Sequence, residues 1–366
     1  MMDVSFSMEH ILVNRQHLAQ TRLDQSDLPQ LADGAVRLKV ESFSVTANNI
    51  TYAVLGDRFG YWKFFPAAGD IGIVPTWGHA VVEASHHDDV AVGERIYGFL
   101  PMGTHLDVVP GNIAAGGFAD LSAHRQAMSP IYNHYSRLAH DPEHRLAHEA
   151  QRMVFGPLFK TGFLIEAMFR REGWYGAQTM LITSASSKTS LSLASVAKDL
   201  SPTIARIGLT SDKHVAFVES TGLYDCVIAY DQIASLPQTR MVCVDFAGNG
   251  ALLHAIHSHL GDALAYSCLV GATHVSSLGD GQAKTKNMPG PEPILFFAPD
   301  HAVAAVKTLG AKRFSEAVAV CWHPFLDAVG RSVTIEERAG LAAAGDTYLA
   351  ILQGMSDPSR ATVVRP

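Results

Sequence analysis

Between Thr179 and Ala298 the chain repeats one pattern: a short apolar run, a turn, and an amphipathic stretch long enough for a short helix. The apolar runs are Thr179–Thr183, Thr203–Leu209, Cys226–Tyr230, Met241–Phe246, Ala265–Val270 and Ile294–Ala298. Helical segments at Ser190–Asp199, Lys213–Ser220 and Ala251–Leu260 fall between them. Strands that are apolar on both faces and separated by helices must pair in parallel and be covered on both sides. This half of the chain therefore predicts βαβ units and a doubly wound α/β sheet.

The first ~130 residues read differently, as short strands with frequent turns. Ala35–Phe43 alternates at period two after a turn at Asp33-Gly34, and Val74–Ala84 and Arg95–Leu100 are further β-rich runs. Frequent glycines and a closing Gly116-Gly117 turn suggest a small barrel or sandwich. His140–Arg152 and Phe155–Arg171 read as helices, as do Asp300–Leu309 and Ile335–Leu352. Ser276–Pro293 reads as a polar loop, and Ala361–Arg365 as a last strand able to rejoin the amino-terminal domain. Clefts between domains favour small-molecule sites.

Composition narrows the function. The 366 residues are 48% hydrophobic and carry Lys+Arg 28 against Asp+Glu 35, which allows a large core but gives a net charge of −7. A negative field argues against nucleic acid as a partner. No apolar run reaches the ~18 residues of a membrane span, and the alternating amino terminus fits a strand and not a signal peptide. Cys226, Cys243, Cys268 and Cys321 form no Cys-x-x-Cys pair, so neither a disulfide framework nor a structural zinc is expected. The expectation is a reduced, cytoplasmic protein acting on a small molecule, with a homodimer as its assembly.

The first βα turn, Thr183–Leu191, reads T-S-A-S-S-K-T-S-L. A dinucleotide site usually has glycines here, letting the backbone approach a pyrophosphate at the helix amino terminus. Ser186, Ser187, Lys188 and Thr189 offer hydroxyls and a cation instead, although a plain serine-rich helix cap accounts for the same residues. At the second strand's tip, Thr210 and Ser211 followed by Lys213 favour a 2′-phosphate and hence NADP, with Asp212 as the contrary residue.

Motifs along nearly the whole chain resemble the medium-chain dehydrogenase/reductase superfamily. Asn49–Gly56 is similar to the quinone-oxidoreductase stretch ending in Asp-Thr-Tyr-x-x-x-Gly, Pro75–Glu83 to Pro-x-x-Gly-His-Glu, and Val92–Gly98 to Val-Gly-Asp-Arg-Val-Tyr-Gly. Gly116–Asp120 resembles Gly-Gly-x-Ala-Glu, and Lys160-Thr161-Gly162 the threonine turn beside the nicotinamide. Ala185-Ser186 matches the Gly-Ala-Ser-Gly-Gly-Val-Gly loop, whose glycines are replaced by Ser187, Lys188 and Ser190. The chain is most similar to a branch of unknown function with Tyr-Trp-x-Phe-Phe-Pro at residues 61–66. The resemblance implies a GroES-like β-barrel domain (1–135 and 315–366) and a Rossmann domain (136–314). It also implies a zinc-independent, NADPH-dependent reductase of a carbonyl or activated C=C. Non-redox isomerase or lyase chemistry, and a sensor without catalysis, stay open.

No metal site is expected. His79 stands where a zinc enzyme has its Gly-His-Glu, but Ala80 replaces the glutamate and no cysteine lies near residues 46–50. His140, His144 and His148 would share one helix face, yet their acidic and basic neighbours are those of a solvated surface. Tyr52 is then the expected proton or hydrogen-bond donor to a substrate oxygen, with Asn48 and Asn49 orienting the same oxygen. Tyr61 and Trp62, with Phe64 and Phe65, would suit an apolar or planar substrate. Core packing explains Tyr52 and this aromatic group equally well. Tyr230, Val270, Gly271 and Phe296, together with Thr161, complete the expected cofactor set.

Overall fold

A computed structural model of the chain describes residues 7–270, 288–329, 332–355 and 357–366. Gly271 and most of the polar 276–293 stretch lie outside the described residues. The chain forms two compact units: Met1–Val154 with Leu309–Glu316 and Thr334–Pro366, and Phe155–Thr308 with Ala317–Val333.

The first unit is built on a strand that turns over midway. Val36, Leu38 and Val40 face the core, a bulge falls between Val40 and Ser42, and Phe43 and Val45 then face the same core. The extra residue shifts the side-chain parity, so the apolar face stays buried across the break. Its neighbour Pro75–Ser85 approaches closely at Gly78, where a Cβ would lie 2.3 Å from the Ser42 carbonyl oxygen. The chain pairs Arg95–Pro101 with Pro75–Ser85, turns a corner, and returns as His105–Val108 to pair with the opposite edge of Val36–Val45. That return wraps the sheet around its core as a barrel does. Arg360–Arg365 pairs antiparallel with Val36–Val45, as its sequence suggests.

Two expectations in this unit are corrected. Ile335–Leu352 is not one helix: Thr334–Ala339 is a strand parallel to Arg360–Arg365, and only Ala342–Leu352 is helical. The Glu-Glu-Arg-Ala run is helix-friendly, but pairing and the ion pairs Arg360–Glu336 (2.7 Å) and Arg365–Glu337 (2.8 Å) override local preference. His140–Arg152 is also not a helix. Single 3-10 turns occupy Leu138–His140 and Leu146–His148, with Pro142 between them, and the helix starts at Glu149. The three histidines therefore share no helical face.

The described residues of the second unit form six parallel strands. Their spatial order is Cys226–Ala229, Ala205–Thr210, Thr179–Ile182, Met241–Asp245, Leu264–Leu269, Ile294–Leu295. Counted along the chain this is 3-2-1-4-5-6, with the topological switch between the first and fourth strands. Every residue of Thr179–Ile182 is buried, which explains its lack of alternation. The helix Lys188–Leu200 covers one face through Leu191, Leu193, Ala194, Val196 and Ala197. Ala311–Val329, which the sequence reading leaves unassigned, is a helix with Pro324 inside it. Phe325 packs against Phe155 and Phe159 at 5.3 and 5.0 Å, and Trp322 against Phe159 at 5.0 Å. That aromatic contact holds the helix through the proline. No described helix is long and apolar enough to cross a membrane.

Candidate functional site

In the first unit the site grows from the short helix Ala47–Val54. Thr46 caps it: the Thr46 N–H donates to Asn49 Oδ1 at 2.6 Å, and Asn49 Nδ2 donates to the Pro75 carbonyl at 2.7 Å. Asn49 is 3% exposed and both ends of its amide are bonded within the fold. Asn48 is different. Its Nδ2 donates to the Tyr52 hydroxyl one turn on, at 2.8 Å, and Trp77 Nε1 donates to the same oxygen at 3.0 Å. Two donors fill the lone pairs of that oxygen, and its own proton faces the Tyr132 hydroxyl, which also interacts with it. Burial pushes the phenol well above its ordinary pKa, Tyr61 adds to this, and the bonds from Trp77 and Asn48 oppose it. The hydroxyl is therefore protonated across the neutral range.

Tyr52 sits in a buried aromatic cluster. Tyr61, Phe99 and Tyr132 lie 4.6, 5.3 and 6.2 Å from it between ring centroids, and the Tyr61 and Tyr132 hydroxyls are 3.1 Å apart. Phe64 and Phe65 extend the wall, backed by the buried Arg125 guanidinium at 5.5 and 5.0 Å. Asp120 pairs with that guanidinium at 3.2 Å, offsetting its charge. Trp62 does not join this group. Its indole fills the space over Gly56 and Gly72, where a Cβ would come within 2.1 and 2.3 Å, and it belongs to the barrel core. Trp77 and Tyr132 escaped the sequence reading. Trp77 was findable, because period two puts it on one strand face with His79; Tyr132 carries no local signal.

His79 is fully buried, and neither ring nitrogen has a partner. Desolvation and the nearby Arg152 push its pKa down to about 3, so it is neutral. Among the described residues no three His, Cys, Asp or Glu side chains come together as metal ligands. The donors around His79 do not fit a zinc ion.

In the second unit the first βα turn is knitted by side chains. Ser187 caps the helix, accepting the Ser190 N–H at 3.2 Å, and Ser190 Oγ donates to the Thr183 carbonyl at 3.1 Å. Ser184 has φ 48°, a left-handed conformation that costs a non-glycine residue about 1–2 kcal/mol. Its N–H donates to the Tyr230 hydroxyl at 3.1 Å, and Tyr224 donates to the Ala185 carbonyl at 3.0 Å. Thr183 Oγ1 donates to the buried Asp245 at 2.5 Å, tying the first strand to the fourth at the switch point. Lys188 and Thr189, half-buried, are the first two residues of the helix.

At the second strand's tip, Ser211 Oγ and Ser186 Oγ approach His214 Nδ1 at 3.1 and 3.4 Å. Lys213 and Asp212 are exposed. The structure thus brings Ser186 and Ser211 together around a histidine that the sequence reading passed over. Thr161 is not in a turn: it lies inside the helix Glu149–Arg171 and donates to the Pro157 carbonyl at 3.0 Å. The neighbouring Gly162 explains the motif, since a Cβ there would meet the Leu193 backbone nitrogen at 2.6 Å. It is a helix-crossing glycine. Val270 and Phe296 end the fifth and sixth strands; Val270 donates to the Asp245 carbonyl at 2.9 Å, and Phe296 stacks on His301 at 4.1 Å.

A GroES-like β unit followed by a 3-2-1-4-5-6 parallel sheet is the medium-chain dehydrogenase/reductase fold. Residues 43–357 match the family described as protein of unknown function (DUF2855), and the chain belongs to it. No curated protein matches the sequence. Solved structures match over essentially its whole length. CurA from Vibrio vulnificus in complex with NADPH is 14% identical, with TM-score 0.61 and 98% of each chain covered. A quinone oxidoreductase of Pseudomonas syringae is 15% identical, with TM-score 0.56, covering 98% of this chain and 100% of that one. The yhdH oxidoreductase from Salmonella enterica in complex with NADP is 13% identical, with TM-score 0.55, covering 98% and 99%.

Proposed function

We propose that the protein is a zinc-independent, NADPH-dependent oxidoreductase that reduces a carbonyl or activated C=C of a small, apolar or planar molecule. The observation that carries this reading is the Tyr52 hydroxyl. It is held by Asn48 and Trp77 as donors, stays protonated through burial, and is walled by aromatic rings. A neutral O–H in a water-poor, aromatic setting can bond a substrate oxygen and stabilise the negative charge that develops there. Asn48 and Trp77 hold the phenol oxygen while its proton is shared or given. Two of the solved relatives hold NADPH or NADP. In this chain Ser186, Ser187, Lys188 and Thr189 would take the pyrophosphate, and Ser211, His214 and Lys213 the 2′-phosphate. NADPH, when bound, supplies the hydride. The protein is read as a cytoplasmic homodimer whose first unit selects the substrate.

The test is binding of NADPH and NADH to the purified protein, followed by NADPH consumption with a panel of p-quinones, enones and aromatic aldehydes. Elemental analysis on the same sample is expected to give less than stoichiometric zinc. No binding of either dinucleotide overturns the redox reading and favours isomerase or lyase chemistry.

A further inference from the structure

The turn that replaces the usual glycines still contains a conformation that glycine would adopt freely. Ser184 sits in left-handed space at φ 48°, immediately before the helix whose amino terminus would face a pyrophosphate. A strained residue at such a place persists only where its surroundings hold it. Two tyrosines do so. The Tyr230 hydroxyl accepts the Ser184 N–H at 3.1 Å and lies 3.4 Å from Ser184 Oγ. The Tyr224 hydroxyl donates to the next carbonyl, that of Ala185, at 3.0 Å. Both flank the third strand of the sheet and reach the first strand's turn past the second. Gly208 in the second strand makes room, since a Cβ there would lie 2.9 Å from both the Tyr224 ring and the Ala185 Cβ.

We propose that Tyr230 and Tyr224 form a clamp that fixes the Ser184–Ala185 backbone and so positions the helix amino terminus for a dinucleotide pyrophosphate. The proposal rests on the dinucleotide reading above. Tyr230 is on this account a positioning residue that acts through Ser184, not a contact to the cofactor. Its hydroxyl does by hydrogen bonding what glycines in this turn do by conformational freedom.

The experiment titrates NADPH into the full-length protein and its Tyr230→Phe, Ser184→Gly and doubly substituted forms, with thermal melting alongside. Tyr230→Phe should weaken NADPH binding about tenfold, the scale of one lost hydrogen bond. Ser184→Gly should change it by less than about twofold, because glycine holds the left-handed backbone unaided. The double variant should return to within about threefold of the unaltered protein. Should Tyr230→Phe fail to fold alone, the Ser184→Gly background carries the comparison, and near-equal affinity with and without the hydroxyl is expected there. Equal weakening in the single and double variants overturns the clamp, since Tyr230 then touches the ligand itself. Unchanged affinity with a lowered melting point overturns it too, as does tighter binding by Tyr230→Phe. If the unaltered protein binds no NADPH, the dinucleotide reading fails first, before any variant is compared.

Discussion

The Tyr52 cluster and the first βα turn solve different problems. In the cluster a polar group is buried, and long-range packing must satisfy it: Trp77, Phe99 and Tyr132 are 25, 47 and 80 residues away along the chain. In the turn, bonds among Ser187, Ser190 and Thr183 shape the backbone locally, and Tyr230, Tyr224 and Asp245 fix it from positions in and beside neighbouring strands. The cluster tolerates little change in shape. The turn tolerates a change of chemistry, provided something replaces the glycines. This contrast explains how the fold can hold while the loop departs from the glycine-rich pattern it resembles.

The largest expected effect tests whether the aromatic residues 61–65 are one group or two. Trp62 fills barrel space over Gly56 and Gly72, so Trp62→Ala should cost about 3–5 kcal/mol of stability in chemical denaturation. Tyr61 faces Tyr52, and Tyr61→Phe should cost about 1 kcal/mol by losing its bond to Tyr132. A Trp62→Ala protein of near-normal stability but poor substrate affinity would return Trp62 to the substrate wall.

Next in size is Tyr52→Phe, which keeps the ring and removes the proton. Turnover should fall about 10²-fold or more, with NADPH affinity unchanged. The variant also leaves Asn48 Nδ2 and Trp77 Nε1 without their acceptor, a stability loss of about 1–3 kcal/mol. The pH profile gives a second check. Because burial holds the phenol above its ordinary pKa, its O–H is present throughout pH 6–10 and is lost only above that window. Turnover that falls with a midpoint near pH 10 in the native enzyme, and loses that limb in Tyr52→Phe, would contradict the assignment.

What could be read from the sequence follows the same division. The parallel sheet was legible because both faces of Thr179–Ile182 and Met241–Asp245 are buried, and burial is written directly as composition. Tyr52 was legible as a residue but not its partners: Asn49 and Asn48 are adjacent amides, and only the capping geometry shows that Asn49 belongs to the helix. Thr161 entered through a resemblance to a threonine turn, whereas it lies inside the helix read at Phe155–Arg171 and Gly162 serves a helix crossing. His214 was hidden by its exposed neighbours Asp212 and Lys213. Long-range pairing turned Thr334–Ala339 into a strand against its local preference.

On the turn, Lys188→Ala should weaken NADPH binding about tenfold to a hundredfold through loss of a charge-assisted bond. Lys188→Gly loosens the backbone without restoring charge. If the two variants are equally weak, charge is what matters; if Lys188→Gly recovers affinity, backbone freedom is. Unchanged affinity in both would place the lysine outside the site and bring this turn closer to an ordinary serine cap.

The smallest effect lies at the second strand's tip and separates two side chains one residue apart. Lys213 is exposed, so its pairing with a 2′-phosphate is screened by salt and worth at most about 1 kcal/mol. Lys213→Ala should therefore weaken NADPH two- to fivefold at low ionic strength, and less than that at 0.5 M salt, while leaving NADH unchanged. His214 is held at 3.1 and 3.4 Å from Ser211 and Ser186, so its ring is already placed when the ligand arrives. His214→Ala should reduce the NADPH-over-NADH preference further than Lys213→Ala does, and the effect should persist in salt because the ring is half-buried. If the loss belongs wholly to Lys213 and disappears with salt, the 2′-phosphate is met only by a surface charge. The ordered histidine between two serines is then part of the turn and not of the site.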